Sequence, residues 1–141
     1  MIWFLRHGDA EDGSDDFARE LTEKGRRQSR AAGAALAALE VEIDACLTSP
    51  RVRAVQTAEL ACEALDIEPE VAEELSGGNF YTAALVAGRG NVLLVGHEPD
   101  FSRAVGDRTG ARVEMKKGGL AAVDGATLVA LLRPAQIKRL G

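Results

Sequence analysis

The chain has little of what specialised scaffolds depend on. Cysteine occurs twice in 141 residues, at Cys46 and Cys62, too few for a disulfide framework and at a spacing that fits no zinc motif. Both read as reduced, buried thiols of a cytoplasmic protein. Positive charge is in deficit, 17 Lys and Arg against 22 Asp and Glu for a net charge of −5. That excludes a nucleic-acid binder working through a broad basic face, but a few arginines can still build a local anion pocket on an acidic protein. No apolar run approaches the length of a membrane span. Ile2 to Leu5 is too short for a signal-peptide core and follows no basic segment. Repeats and low-complexity linkers are absent as well. What remains, 46% apolar and 28% charged residues, is the profile of a soluble globular protein. One domain over residues 1–141 is expected, as a cytoplasmic monomer without nucleic-acid or membrane partners.

The elements alternate. Ile2–Leu5 reads as a short buried strand. Residues 8–16 form a loop rich in Asp and Gly. Thr22 is the expected N-cap of a long amphipathic helix reaching about Glu40, with Ala32, Ala35, Leu36 and Leu39 on one face. Ala45–Thr48 is a second strand. Ser49 and Pro50 then read as an N-cap followed by proline in the first helical position, opening a helix through RVRAVQTAELACEALD. Residues 71–80 are expected to be irregular, and 80–87 to form a short helix. Asn91–Val95 is a third strand, and Glu98-Pro99-Asp100 opens another helix. The tail LAAVDGATLVALL reads as a hairpin turning at Asp124-Gly125. The fold class is therefore α/β, a three-layer sandwich with a mostly parallel central sheet, helices on both faces and a C-terminal β-hairpin. In such sheets ligands bind outside the carboxyl ends of the strands.

Histidine is as scarce as cysteine, and both histidines fall in the same kind of place. His7 follows the strand IWFL and His97 follows NVLLV, each just past an apolar strand and beside a glycine. Arg6 adjoins His7. Arg51 and Arg53 stand at the start of a helix that follows another strand end. Arginine is a fixed positive charge with a planar fork of donors suited to phosphate oxygens, and a helix N-terminus adds unpaired N–H groups. Two imidazoles, Arg6, Arg53 and a helix start at one rim make a dianion site. Arg51 reads more simply as a solvated surface residue. Asp16 and Arg19, just before the first long helix, are within reach of the site rim, with a surface role the simpler reading. Thr57 and Gln56 read as helix residues near the site, Trp3 and Phe4 as core.

Three ordered motifs resemble the histidine phosphatase superfamily. Leu5-Arg6-His7-Gly8-Asp9-Ala10 is similar to its RHG signature. Ser49-Pro50-Arg51-Val52-Arg53-Ala54-Val55-Gln56-Thr57-Ala58 is similar to its second motif and Val95-Gly96-His97-Glu98-Pro99-Asp100 to its third. LTEKGRRQ resembles the opening of that family's first long helix, so the resemblance spans residues 5 to 100. The small size brings the chain nearest the compact SixA-type branch, associated with phosphohistidine on signalling proteins. The resemblance implies that His7 is the nucleophile, that Arg6, Gly8, Arg53 and His97 hold the phosphoryl group, and that neither metal nor cofactor is used.

Those roles make chemical demands on the site. His7 must be neutral to attack, which neighbouring arginines favour and which a bond from one ring nitrogen to a backbone carbonyl would direct to the other. Arg6 and His7 must also converge although neighbours on a strand face opposite ways, so a bend at Gly8 or just before it is expected. An ester leaving group needs a proton donor, and the candidates are Glu73, Glu74, Asp9 and Glu11. None is marked by the sequence, which leans the substrate towards phosphohistidine, whose imidazole leaves readily. A phosphorylated protein is the expected partner. The alternatives are a small-molecule phosphomonoesterase with the same nucleophile and a phosphate-binding module without turnover. Ser76 and Gly77-Gly78 are candidate residues of the pocket mouth, and Lys116-Lys117 a basic edge for an acidic partner.

Overall fold

The computed structural model describes residues 1–141. The chain runs β1 (Ile2–Arg6), α1 (Glu23–Ala38), β2 (Ala45–Thr48), α2 (Val52–Leu65), β3 (Pro69–Val71), a 3-10 turn (Glu73–Ser76), α3 (Thr82–Val86), β4 (Val92–Gly96), α4 (Asp100–Thr109), β5 (Leu120–Asp124), β6 (Thr127–Leu132) and α5 (Pro134–Ile137). The strands form one six-stranded sheet in the order β3-β2-β4-β1-β5-β6. β3, β2, β4 and β1 run parallel, and β5 is antiparallel to β1 and to β6. The mostly parallel sheet and its C-terminal hairpin are as the alternation of elements implies. The hairpin closes through Gly125-Ala126, with Asp124 paired to Thr127, one residue later than expected.

The two-residue period of the strands divides the core into two layers. Trp3, Leu5, Leu93 and Val95 face one side, where Ala32, Ala35 and Leu36 of α1, Ala58 and Ala61 of α2 and Ile137 of α5 cover them. Phe4, Leu94 and Leu47 face the other, against Leu75, Phe101 and Val105. Phe4 and Phe101 meet edge to face, 5.2 Å between ring centroids. Strands buried on both faces read as continuous apolar runs, hence IWFL and VLLV.

Three local expectations are corrected. Ser49 does not cap α2: the N-cap is Arg51, the helix starts at Val52, and Pro50 lies outside it. Ser49 serves the turn before the helix, its Oγ accepting from the Arg51 amide at 3.2 Å. β3 and the 3-10 turn lie in and beside the stretch expected to be irregular; β3 is a three-residue edge strand, too short and too charged to show a period. α5 also went unpredicted, a single turn fastened by Ile137.

Candidate active site

Strand register brings the two histidines together. Arg6 ends β1 and pairs with Gly96, which ends β4, and the next residue in each strand is histidine. The His7 amide donates to the Gly96 carbonyl at 3.0 Å. The imidazole centroids stand 5.2 Å apart with the rings tilted by 55°. His7 is 6% exposed and His97 7%. β2 ends alongside, Thr48 paired with Val95, so Ser49 reaches His97, with 2.7 Å between Ser49 Oγ and His97 Nε2.

Hydrogen bonding fixes the tautomer of His7. Its Nδ1 lies 2.8 Å from the Gly8 carbonyl oxygen. A carbonyl only accepts, so Nδ1 carries the proton and Nε2 a lone pair. Arg53 Nε donates towards that lone pair at 3.4 Å. Burial lowers the His7 pKa to about 4; the Gly8 bond opposes the shift, and Arg53, Arg6 and Arg19 add to it. Burial likewise brings His97 down to about 3, with the His7, Arg53 and Arg51 charges adding and Asp16 opposing. Both rings are therefore neutral near neutral pH. His97 Nδ1 and Arg6 Nε are buried without a hydrogen-bond partner. Buried polar atoms are normally paired, so these two unpaired atoms, Arg6 Nε as a fixed donor among them, mark where a ligand's polar atoms fit.

Gly8 has a different part from the one expected. Its amide donates to Thr57 Oγ1 at 3.1 Å and its carbonyl is taken by His7, so neither group is free for a ligand. Nor is its backbone in the left-handed region that only glycine favours. Its constraint is contact: a Cβ there would stand 2.6 Å from the Gly25 carbonyl oxygen, and one on Gly25 would stand 2.0 Å from the Asp9 carbonyl oxygen. The signature loop lies flat against the start of α1, and Thr57, which also donates to the Arg53 carbonyl at 2.8 Å, ties it to α2. Gln56 works similarly, accepting from the Leu21 amide at 2.8 Å.

The arginines are held by one carboxylate. Asp16 accepts from Arg19 Nε at 3.1 Å and from Arg51 Nη1 at 2.7 Å, and lies 3.4 Å from Arg53 Nη2. The Asp16 carbonyl takes Arg53 Nη1 at 2.8 Å. Burial would raise the Asp16 carboxyl, but Arg53, Arg19 and Arg51 outweigh it and hold it below the usual carboxylate range. Asp16, Arg19 and Arg51, expected to be surface residues, thus form an ion network beside the site. Arg51 Nε also donates to the Ser76 carbonyl at 2.7 Å, which brings the 3-10 turn to the rim. Arg6 is anchored elsewhere, Nη1 donating to the Met115 carbonyl at 2.9 Å.

No carboxylate is hydrogen-bonded to or ion-paired with either imidazole. Asp9 accepts from Thr22 Oγ1 at 2.9 Å, a bond that with Lys117 holds its carboxyl low and ionised. Glu11, Glu73 and Glu74 are exposed. Glu98, in the third motif, accepts from the Ser102 amide at 2.7 Å at the head of α4 and is the leading counter-charge to Arg6. No group of three His, Cys, Asp or Glu side chains gathers as a metal-binding cluster.

Residues 2–84, with the first two motifs in this geometry, match the histidine phosphatase superfamily (branch 1). The chain belongs to the histidine phosphatase superfamily. It is 35% identical over 109 residues to the phosphohistidine phosphatase SixA of Escherichia coli K12, covering 70% of this chain and 68% of that protein. A protein of Picosynechococcus sp. without an assigned activity is 34% identical over 134 residues, 84% of this chain and 81% of its own. The structure of the protein histidine phosphatase SixA complexed with tungstate superimposes with a TM-score of 0.83 and 28% identity, over 97% of this chain and 99% of that one. The affinity is with the SixA-type branch. Asp16, Ser49 and Glu98 have a larger part in the site than the sequence suggests, where Asp16 reads more simply as a surface residue and Ser49 and Glu98 as helix openers within the second and third motifs. Only the distance of each to an arginine or imidazole marks that part.

Proposed function

We propose that this protein is a phosphohistidine phosphatase that takes the phosphoryl group from a histidine displayed on a protein, with His7 as nucleophile and Arg6, Arg53 and His97 as the phosphoryl-binding groups. The observation that carries the proposal is the buried, neutral His7, protonated at Nδ1 against Gly8 and presenting Nε2 to Arg53. A binding module has no need of a nucleophile prepared in this way.

The Nε2 lone pair attacks phosphorus, and the P–N bond of the substrate breaks. Its electron pair stays on the substrate imidazole, which is protonated from solvent. Positive charge that develops on the His7 ring is met by the Gly8 carbonyl at Nδ1. Water then attacks phosphorus, releasing inorganic phosphate and returning the electron pair to Nε2. Dividing the displacement into two steps is the gain of covalent catalysis. Arg6, Arg53 and His97 stabilise the charge on the phosphoryl oxygens through both steps. The ionised state of Asp9 and the absence of a carboxylate at either imidazole favour a leaving group that needs little help, as the imidazole of phosphohistidine does.

The deciding experiment compares phosphate release from a phosphohistidine-bearing protein with that from an aryl phosphate ester, with His7→Ala as control. Preference for the phosphohistidine, abolished in His7→Ala while phosphate still binds, is the expected result. Faster ester cleavage would make the protein a phosphomonoesterase, and turnover of neither would leave a binding module.

A further inference from the structure

A groove of about 720 Å³ opens beside Arg6, between the first turns of α1, the turn before β5, and α5. Six of the chain's 17 lysines and arginines line it: Arg6, Lys24, Arg27, Lys116, Lys117 and Lys138. Asp9 is the single acid among them. This concentration stands on a protein whose net charge is −5. The floor is apolar, formed by Ala31, Ala135 and Ile137.

Two features set these charges apart from the rest of the surface. Lys24 and Arg27 sit in the opening turns of α1, beside the positive end of the helix dipole, where cations work against helix stability. Neither makes an ion pair or side-chain hydrogen bond, whereas Arg26, between them, pairs with Glu23. Their opposite charge in the groove is Asp9, which leaves the groove with an excess of cations. Second, the turn carrying Lys116 and Lys117 is fastened to the signature strand. The Gly118 amide donates to the carbonyls of both Arg6 and His7 at 3.0 Å, and the Arg6 amide to the Gly119 carbonyl at 3.1 Å. The two lysines are therefore held in register with the nucleophile.

We infer that this groove docks an acidic protein segment flanking the phosphorylated histidine, a reading that rests on the phosphohistidine phosphatase proposed above. The cations are spread over four segments, β1, α1, the turn before β5 and the end of α5, instead of converging on one point, which suits several carboxylates along a chain better than a single anion. The apolar floor takes the buried side of such a segment. Arg6 lies at the junction, lining the groove and adjoining His7, so a segment in the groove places its neighbouring phosphohistidine at the nucleophile. Charge of this kind acts mainly on encounter and register and is screened by salt.

The test uses the full chain and two phosphohistidine peptides, one flanked by glutamates and one by alanines, with Lys24→Glu/Arg27→Glu/Lys138→Glu as the variant. None of these three residues is hydrogen-bonded or ion-paired to the imidazoles or to Arg6 and Arg53. The wild type is expected to prefer the glutamate-flanked peptide by roughly tenfold in kcat/KM at low salt, with the preference collapsing near about 0.5 M NaCl. In the variant the preference disappears while turnover of the alanine-flanked peptide is unchanged, which also shows that the fold is intact. The milder Lys24→Gln/Lys138→Gln should fall between the two. Equal turnover of both peptides by the wild type would overturn the docking assignment and leave the phosphatase reading standing. Turnover of neither peptide, with aryl phosphate still cleaved, would overturn the phosphohistidine reading and the docking site with it.

Discussion

The proposed chemistry depends, residue by residue, on the protonation of two imidazoles. His7 and His97 are the chain's only histidines, so their ring C–H signals can be followed by NMR without overlap and assigned with one variant. Burial sets both values, about 4 and about 3. In the ligand-free protein neither resonance should titrate between about pH 8 and about pH 5, where an unperturbed imidazole changes charge near 6.5. A midpoint near 6.5 for His7 would mean that the ring is not desolvated as described. Asp16 belongs to this scale too. Its carboxylate, 58% exposed at the side chain, contributes little as a surface ion pair. What it does is bind Arg19, Arg51 and Arg53 into one array before substrate arrives.

At the scale of the element, the site is precise because helix and loop backbones approach each other closely. α1 and α2 pack through small residues, and a Cβ on Gly33 would stand 2.1 Å from the Ala61 carbonyl oxygen. Gly33→Ala should therefore cost about 3 kcal/mol, read from the urea midpoint at constant slope. Gly77→Ala, where a Cβ meets nothing within 4 Å, should change stability by less than about 0.5 kcal/mol. Equal midpoints for the two variants would contradict the packing described. The elements also show what the sequence carried. Strands β1, β2 and β4 were legible because burial on both faces makes an unbroken apolar run, and His7 and His97 because each ends one. β3 was not, since an edge strand of three residues leaves no period. The start of α2 was misplaced because serine followed by proline serves a turn as readily as a helix cap. Gly8 was legible as essential, but for a bend, when the constraint is contact with Gly25, a pairing 17 positions away that no local pattern records. Asp16 and Arg51 read more simply as surface residues because an ion pair between residues 35 apart has no signature in spacing.

At the scale of the whole molecule, burying two imidazoles in neutral form links stability to pH. Above the unfolded histidine value of about 6.5 both states are neutral and nothing is lost. As pH falls below it, the unfolded chain binds protons that the folded chain refuses until about 4 and 3. Stability should therefore drop by as much as about 2 kcal/mol per imidazole by about pH 4.5. Asp9 and Asp16, held low, lose their contribution only at lower pH, so this window reports the histidines. Urea midpoints at about pH 7.5 and pH 4.5 check it, and a double His7→Gln/His97→Gln protein should show a much flatter response. The central claim concerns the nucleophile, and the most direct measurement is rapid-quench trapping under alkaline conditions, with phosphopeptide mapping, during turnover of a phosphohistidine substrate. Phosphate is expected on Nε2 of His7, formed and consumed no more slowly than the steady-state rate and absent in His7→Ala. Turnover with no phosphorylated His7, or with phosphate on His97 instead, would contradict it.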